Sequence, residues 1–421
     1  MTKAKSPVWH PFTQHATAPP PVAVARTEGA WLETADGRRI LDAISSWWVV
    51  THGHRHPRIM AAIKDSTERL DQVIFAGFTH EAAEDVARGL VAIAPGHLPH
   101  VFFSDSGSTA VEVGIKMALG FWRNVGEPRT RIVALDKGYH GDTVGTMSAG
   151  ARGVFNAAYE PLLFDVVRIP FPEAGKEQDT LDALDHACRT EPAAALLLEP
   201  LIAGAGGMVT YSARALLEME RICERYDTLL IADEVMTGFG RTGTMFACER
   251  AGVVPDVLCL AKGLTGGAMP LAATLAAAPI FEAHYSSDRS RTFFHSSSYT
   301  ANPVACAAAA ANLAIWREEP VMSRIGALTT AQDRALSRFR DDPRFTNARQ
   351  LGTITALDLK VADEGYLAAV GPKLYEAFIG RNVLLRPLGN TIYVMPPYCV
   401  TAAELALAYD AIDAAADAVL R

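Results

Sequence analysis

The 421-residue chain lacks the features that mark nucleic-acid-binding and membrane proteins. Its 39 lysines and arginines are outnumbered by 47 acidic residues, the net charge is −8, and no dense basic block occurs. No nucleic-acid partner is therefore expected. No apolar stretch of signal-peptide type opens the chain, and the alanine-rich segments 271–278 and 305–315 are too short to span a bilayer. We expect a cytoplasmic protein without a membrane partner.

Cysteine is also scarce, and the six cysteines include no Cys-x-x-Cys pair. This pattern fits reduced thiols in the cytosol and argues against a disulfide framework or a zinc site. His52, His54 and His56 alternate, but no cysteine or carboxylate cluster accompanies them, so we expect no metal. With 49% hydrophobic and 20% charged residues, the chain has the composition of a folded protein and the length of a two-domain enzyme.

The pattern from about residue 50 to residue 310 is typical of an α/β domain. Short apolar runs alternate there with helical patterns, which predicts a mostly parallel sheet with helical crossovers. The seven predicted strands cover residues 101–103, 131–135, 166–171, 194–198, 229–232, 257–260 and 271–276.

The remaining sequence predicts a smaller α+β domain. Residues 1 to about 25 are expected to be irregular because they contain three consecutive prolines, and a hairpin follows with its turn at Asp36-Gly37. Thr401 and Glu404 form a capping box that starts the last helix. Strands of this domain are predicted at 354–359, 383–386 and 391–395. The predicted division is 1–49 as a segment contributing to the small domain, 50–310 as the large domain and 311–421 as the small domain.

An acid and an amine stand at the ends of two predicted strands. Asp233 ends one apolar run, and Lys262 follows the next one and precedes the glycine-rich turn 263–267. The pair suits pyridoxal phosphate, because a lysine can form a Schiff base with it and an acid can keep its pyridine nitrogen protonated. Taken singly, Lys262 can be a surface lysine and Asp233 a helix cap.

A candidate phosphate site follows the first of the seven strands. Ser106, Gly107 and Ser108 open a helical pattern, where free backbone N–H groups can bind phosphate, although an ordinary N-cap has the same signature. Tyr139 follows the strand at 131–135, where its ring can stack on a flat cofactor. The neighbouring His140 is expected to be structural, because Lys262 already supplies a base.

Two arginines are candidates for binding substrate carboxylates. Arg241 lies in a glycine-rich stretch, and Arg386 ends an apolar run. Each guanidinium can take a carboxylate through two parallel hydrogen bonds, and the alternative for each is a surface salt bridge. Trp47 and Trp48 are more typical of a core than of a pocket wall.

These motifs resemble the class III, fold-type I aminotransferases, which depend on pyridoxal phosphate, along nearly the whole chain. The matching stretches are 9–11, 42–48, 105–108, 138–142, 204–208, 231–235, 237–243, 262–267, 386–387 and 393–398. Within the class, the Ser-Ser-Trp-Trp stretch, Arg386 and the Met-Pro-Pro-Tyr stretch resemble the branch that acts in biotin synthesis. The resemblance implies a large domain with a mostly parallel seven-stranded sheet, a smaller domain and a homodimer.

The resemblance also implies a reaction and a role for each site residue. An amino group passes from S-adenosyl-L-methionine to 8-amino-7-oxononanoate, giving 7,8-diaminononanoate. The implied catalytic residues are Lys262, Asp233 and Tyr139. The implied cofactor-binding residues are Ser106, Gly107, Ser108, Tyr139, Asp233, Val235 and Lys262, with Ser298 of the partner subunit. The implied substrate-binding residues are Phe12, Trp47, Trp48, Tyr393, Arg241 for the donor's carboxylate and Arg386 for the keto acid's carboxylate.

One residue and one three-residue stretch depart from the family pattern. Phe12 stands where the family often has tyrosine, and 296–298 is Ser-Ser-Ser where the family has Gly-Pro-Thr, so a hydroxyl is kept at Ser298. Three alternatives stay open: lysine as the donor, a broad range of ω-amino acid or diamine substrates, and a cofactor-binding regulator without activity. The last would need a DNA-binding module, for which the chain has neither a spare domain nor a basic patch.

Overall fold

The computed structural model describes residues 6–420, so residues 1–5 and 421 of the predicted outer segments lie outside the described part. The strands are β1 Val24–Glu28, β2 Trp31–Thr34, β3 Arg39–Asp42, β4 His100–Ser104, β5 Ile132–Leu135, β6 Val167–Ile169, β7 Ala195–Leu198, β8 Ile202–Ala203, β9 Val209–Thr210, β10 Leu229–Asp233, β11 Val257–Leu260, β12 Ala272–Ala276, β13 Phe345–Leu351, β14 Ile354–Leu359, β15 Val383–Leu384 and β16 Thr391–Val394. The helices are α1 Ser45–Trp48, α2 Pro57–Thr67, α3 Glu81–Ile93, α4 Gly107–Asn124, α5 Val144–Ala149, α6 Glu177–Thr190, α7 Ala213–Arg225, α8 Ala247–Ala251, α9 Ala278–His284, α10 Pro303–Glu318, α11 Val321–Leu336, α12 Val370–Ile379 and α13 Ala402–Leu420. Short 3-10 helices cover Ala157–Leu162, Lys262–Thr265, Arg289–Arg291 and Ser337–Phe339.

The central sheet has seven strands in the order β4-β12-β11-β10-β7-β5-β6. Strands β11, β10, β7, β5 and β6 run parallel, and β12 runs antiparallel to both of its neighbours. Along β10, Leu230 and Ala232 enter one core while Ile231 enters a second core on the opposite face. A sheet covered on both faces explains why its strands read as continuous apolar runs.

All seven predicted strands of this sheet are confirmed. The segments 257–260 and 272–276 match the expected limits within one residue, whereas the strand expected at 166–171 is only Val167–Ile169. The α/β class with a mostly parallel seven-stranded sheet is therefore confirmed.

One of the three smaller sheets, in the order β1-β2-β3-β15, joins the two ends of the chain. The predicted hairpin forms from β2 and β3, and β15 then pairs parallel with β3, which ties residues near 42 to residues near 384. The strands β1, β8, β9 and β13 are additional to those predicted, and β15 stops at Leu384, two residues short of the expected end. The limits of the two domains stay a prediction.

The last helix begins as predicted. The Thr401 hydroxyl accepts from the backbone N–H of Glu404, and the Glu404 carboxylate accepts from the backbone N–H of Thr401. Leu405, Tyr409 and Ile412 of this helix are buried. Among residues 6–420, no helix is both long and apolar enough to cross a membrane.

Candidate active site

A cavity of about 500 Å³ opens at the carboxyl ends of the parallel strands. Because parallel strands point the same way, the loops that follow them meet at one edge of the sheet, which is the usual place for a site in an open α/β sheet. The loops after β4, β5, β7, β10 and β11 each contribute lining residues. From these loops come Ser106, Gly107, Ser108, Tyr139, His140, Glu199, Asp233, Val235 and Lys262.

Lys262 stands on the first residue of a 3-10 turn that follows β11. Its backbone has a φ of +42°, a left-handed conformation that residues other than glycine rarely adopt. Its Nζ lies 4.8 Å from the centre of the Trp48 ring. Burial lowers the pKa of the Lys262 ammonium to about 8, while the carboxylates of Asp233 and Glu199 act in the opposite direction. Such an amine gives up its proton more readily than a surface lysine.

Asp233 ends β10 and is held by two donors. Its Oδ1 accepts from the backbone N–H of Val235 at 3.1 Å, and its Oδ2 lies 2.8 Å from Nδ1 of His140. Both residues are buried. His140 therefore carries its proton on Nδ1 when it donates to Asp233, and this bond fixes the orientation of the carboxylate. His140 is absent from the predicted site residues, and only its place after β5 could have suggested it.

Glu199 follows β7 and is a second residue absent from the predicted set. Its two oxygens accept from the backbone N–H groups of Tyr139 and Gly204, each at 3.0 Å. Burial raises the pKa of the Glu199 carboxyl to about 7, although the neighbouring His140 opposes this shift. The hydrogen bond from Tyr139 connects the loop after β5 with the end of β7.

The start of α4 forms an anion-binding corner. Ser106 is the N-cap and its hydroxyl accepts from the N–H of Thr109, which leaves other N–H groups of the first turn without intrahelical partners. A β-carbon at Gly107 would lie 2.5 Å from Cγ1 of Val235, so a glycine is needed for this approach. The Ser108 hydroxyl accepts from the N–H of Asp142 at 3.1 Å and retains its own proton for donation. These groups match the needs of a phosphate.

The mouth of the cavity is aromatic and comes from segments far apart in sequence. The Arg386 guanidinium lies 5.2 Å from the centre of the Trp47 ring and donates to the carbonyl of Phe12. Phe12 lies 5.7 Å from Trp47 and 5.9 Å from Phe155 between ring centres. Phe155 in turn packs edge-on against Tyr366 at 4.5 Å. Neither Phe155 nor Tyr366 belongs to the predicted set.

Trp48 forms the wall between the mouth and the lysine. It is buried, unlike the half-exposed Trp47, and its indole N–H donates to the hydroxyl of Tyr393 at 2.9 Å. Burial raises the pKa of the Tyr393 phenol, so the hydroxyl is neutral and can accept this bond. Burial, followed by the charge of Asp142, also raises the pKa of Tyr139.

Arg241 is not among the residues that line the cavity. The side chain is 1% exposed, and its guanidinium donates to the carbonyls of Val50 at 2.8 Å and Pro396 at 3.0 Å. Because backbone carbonyls accept its hydrogen bonds, Arg241 braces the wall behind Trp48. The role expected for it at the donor's carboxylate stays a prediction. A sequence cannot tell whether such a guanidinium faces a pocket or buried carbonyls.

Ser298 is the other predicted site residue outside the cavity of its own chain. It is exposed, and its carbonyl accepts from Nε2 of Gln72 at 2.7 Å. The role expected for it concerns the site of a partner subunit, and so it stays a prediction.

The model of the family Aminotransferase class-III matches residues 12–416. The chain belongs to this family. A relative from Synechococcus elongatus, named adenosylmethionine-8-amino-7-oxononanoate aminotransferase, is 47% identical over 96% of this chain and 97% of its own. A relative of the same name from Geobacter sulfurreducens is 38% identical over 96% of this chain and 94% of its own.

Solved structures of class III enzymes have the same fold. The adenosylmethionine-8-amino-7-oxononanoate aminotransferase of Methanocaldococcus jannaschii is 33% identical, with a TM-score of 0.93 over 98% of this chain and 97% of its own. An amine transaminase of an uncultivated Pseudomonas species, solved in its PLP-bound form, is 32% identical, with a TM-score of 0.91 over 99% of each chain. Class III aminotransferases depend on pyridoxal phosphate. The helix start at Gly107, the buried Asp233 and the partly buried Lys262 fit that cofactor.

Proposed function

We propose that the protein transfers an amino group from S-adenosyl-L-methionine to 8-amino-7-oxononanoate, giving 7,8-diaminononanoate in biotin synthesis. The names of its relatives support this reaction. The observation that carries it is the mouth of the cavity, where the Arg386 guanidinium lies against Trp47 above an otherwise apolar opening. A keto acid with a long alkyl chain needs such a cation at one end and an apolar wall beside it.

Pyridoxal phosphate, when bound, supplies an electron sink for the electrons left on the amino carbon after its proton departs. Gly107 and Ser108 would hold the phosphate with backbone N–H groups and a hydroxyl, and Ser106 would shape that turn. Tyr139 and Val235 would enclose the ring from its two faces. Asp233, oriented by His140, would keep a positive charge on the ring nitrogen.

Lys262 would carry the cofactor and then move the proton. Its pKa of about 8 supports this role, because a group that takes and returns a proton works best with a pKa close to the ambient pH. The Trp48 ring covers the amine on one side. Glu199 ties the Tyr139 loop in place with a carboxyl that changes its charge near pH 7.

Arg386 would take the carboxylate of the keto acid, with Trp47 and Trp48 along the alkyl chain and Tyr393 beneath them. Phe12 would contact both substrates at the mouth. Its benzyl side chain offers apolar surface without a hydroxyl, and its carbonyl already holds Arg386 in place.

The proposed assembly is a cytoplasmic homodimer in which Ser298 of the partner subunit completes the phosphate site. The exposed side chains of Phe294 and Tyr299, which flank the Ser-Ser-Ser segment, support this proposal. Large exposed aromatic residues on a monomer often mark a contact surface.

A donor panel tests the proposal. S-adenosyl-L-methionine, lysine and a simple ω-amino acid are each offered with 8-amino-7-oxononanoate, and formation of 7,8-diaminononanoate is measured. We expect the first donor to support turnover, with parallel initial-rate lines because both substrates use one cavity in turn. Intersecting lines would contradict the scheme. Turnover of a simple amine with another keto acid as the acceptor, in place of 8-amino-7-oxononanoate, would favour the amine transaminase activity that the Pseudomonas structure carries in its name.

A further inference from the structure

Asn312 is a polar residue in the alanine-rich middle of α10. The side chain is fully buried, and asparagine is unfavourable inside a helix. A buried amide destabilises a fold unless its hydrogen bonds are made. Here they are made outside the helix: Nδ2 donates to the carbonyls of Gly263 at 3.0 Å and Leu264 at 2.9 Å.

The third bond of the amide fixes its orientation. Oδ1 of Asn312 lies 2.9 Å from Nε2 of His52, which is also buried. Since both amide protons point to carbonyls, Oδ1 can only accept, so His52 carries its proton on Nε2. Burial and the nearby His56 lower the pKa of His52 to about 4, which keeps the ring neutral at physiological pH. His52 and Asn312 therefore have one compatible arrangement.

The two carbonyls that Asn312 binds belong to the residues that follow Lys262. Both ends of this turn are left-handed, with a φ of +42° at Lys262 and +65° at Gly266. Glycine adopts this conformation freely, so the strain lies at Lys262. A lysine in the left-handed region stays there only when its surroundings hold it. The turn is also closely packed, because a β-carbon at Gly266 would lie 2.6 Å from Ile59 and 3.2 Å from Oδ1 of Asn312.

We infer that Asn312, oriented by His52, is a positioning residue that holds the Lys262 turn and keeps the amine at its place beside Trp48. The inference rests on the proposed function, since it assigns a task to the turn that presents Lys262. A purely structural role predicts a different outcome, namely a loss of stability like that of any other buried amide.

Gln332 provides the matched control. It is also a fully buried side-chain amide on a helix, its Nε2 donates to the carbonyl of Thr353 at 2.7 Å, and its Oε1 accepts from hydroxyls of Thr355 and Tyr409. It makes no hydrogen bond to the Lys262 turn. Gln332→Glu and Asn312→Asp thus make the same chemical change at two buried sites.

The experiment compares Asn312→Asp, Asn312→Leu and Gln332→Glu with the wild type, each loaded with pyridoxal phosphate. Asn312→Asp replaces two donors with an oxygen that faces two carbonyls, and Asn312→Leu removes the bonds at similar volume. We expect kcat to fall by roughly 10–100-fold in both Asn312 variants, because a small misplacement of a reacting group has effects of this size. The KM of each substrate should change far less.

Three readouts accompany the kinetics: the pH titration of the visible absorbance of the lysine–cofactor link, the rate of cofactor release and the thermal stability. Both Asn312 variants should shift the titration and release the cofactor faster. Gln332→Glu should lower the melting temperature but leave the titration and kcat at wild-type values. His52→Leu should have a smaller effect in the same direction as the Asn312 variants, and His52→Gln, which keeps a donor, should restore most of it.

The outcomes separate the inference from the function on which it rests. If the loaded wild type has no lysine-linked absorbance, the proposed function fails. If the wild type has that absorbance and a folded Asn312 variant has the same titration and the same kcat as the wild type, the positioning role is wrong. An equal fall in kcat and an equal shift of the titration in Gln332→Glu would also overturn it, since they would reflect a general loss of stability. Should neither Asn312 variant fold, the two His52 variants decide the question by the same measurements.

Discussion

The inner end and the mouth of the cavity are built in opposite ways. Asp233, His140 and Lys262 stand at or just after strands of one sheet. A hydrogen bond joins Asp233 to His140, and burial lowers the pKa of Lys262 to about 8. At the mouth, Phe12 and Arg386 come from segments 374 positions apart, and Phe12 and Trp47 are 44% exposed. Neighbouring strands position side chains more rigidly than separate loops do. The sheet can therefore supply the chemistry while the outer segments select the substrate.

Lys262→Ala should have the largest effect, because it removes the group that carries the cofactor and moves the proton. Loss of a general acid–base group alone lowers rates by ~10²–10⁴-fold, and loss of the covalent link adds to this. Turnover and the visible absorbance of the loaded protein are the measurements. The exposed Lys373 on α12 gives the control, since Lys373→Ala should change neither. A lysine-linked absorbance that survives in Lys262→Ala would refute the assignment of the inner end.

Arg386→Ala should follow, with an effect on one substrate and not on the chemistry. A hydrogen bond to a charged group is worth roughly 1.5–3 kcal/mol, which corresponds to a ~10–150-fold rise in the KM of the keto acid. The KM of the donor and the absorbance of the loaded protein should change little. Arg381, five residues earlier, is exposed and donates to the carbonyl of Ala377, so Arg381→Ala is the neighbouring control. An unchanged KM for the keto acid would put its carboxylate elsewhere.

The difference between the central sheet and the outer segments also explains how far the sequence could predict the structure. The strands of the central sheet are continuous apolar runs, so both their places and the strand-end residues Asp233 and Lys262 could be predicted. β13 could not, because its sequence Phe-Thr-Asn-Ala-Arg-Gln-Leu is mostly polar and it becomes a strand by pairing with β14.

The residues of the site also differ in whether their local sequence could reveal their contacts. His140 and Glu199 act through contacts with other loops, which no local pattern records. Arg241 has the local sequence of a binding residue, and the carbonyls that accept its hydrogen bonds lie 155 and 191 positions away along the chain. Phe155 and Tyr366 meet at the mouth from segments without a motif. Long-range packing decides these positions, and the family pattern covers only some of them.

Phe12→Tyr should have the smallest effect. It tests whether a change at the mouth of the cavity leaves the inner end unaffected. It adds the hydroxyl that the family often has, at a place where Phe12 packs against Trp47 and Phe155. One hydrogen bond between neutral groups is worth about 0.5–1.5 kcal/mol, so the KM of one substrate should change by roughly 2–13-fold. Phe155→Tyr adds the same group to the ring beside it and serves as the control. The rate of the chemical step and the titration of the loaded protein should stay at wild-type values in both variants. A change in that titration would mean that a substitution at the mouth affects the ionisation of the groups at the inner end. The separation in which the sheet supplies the chemistry and the outer segments select the substrate would then be wrong.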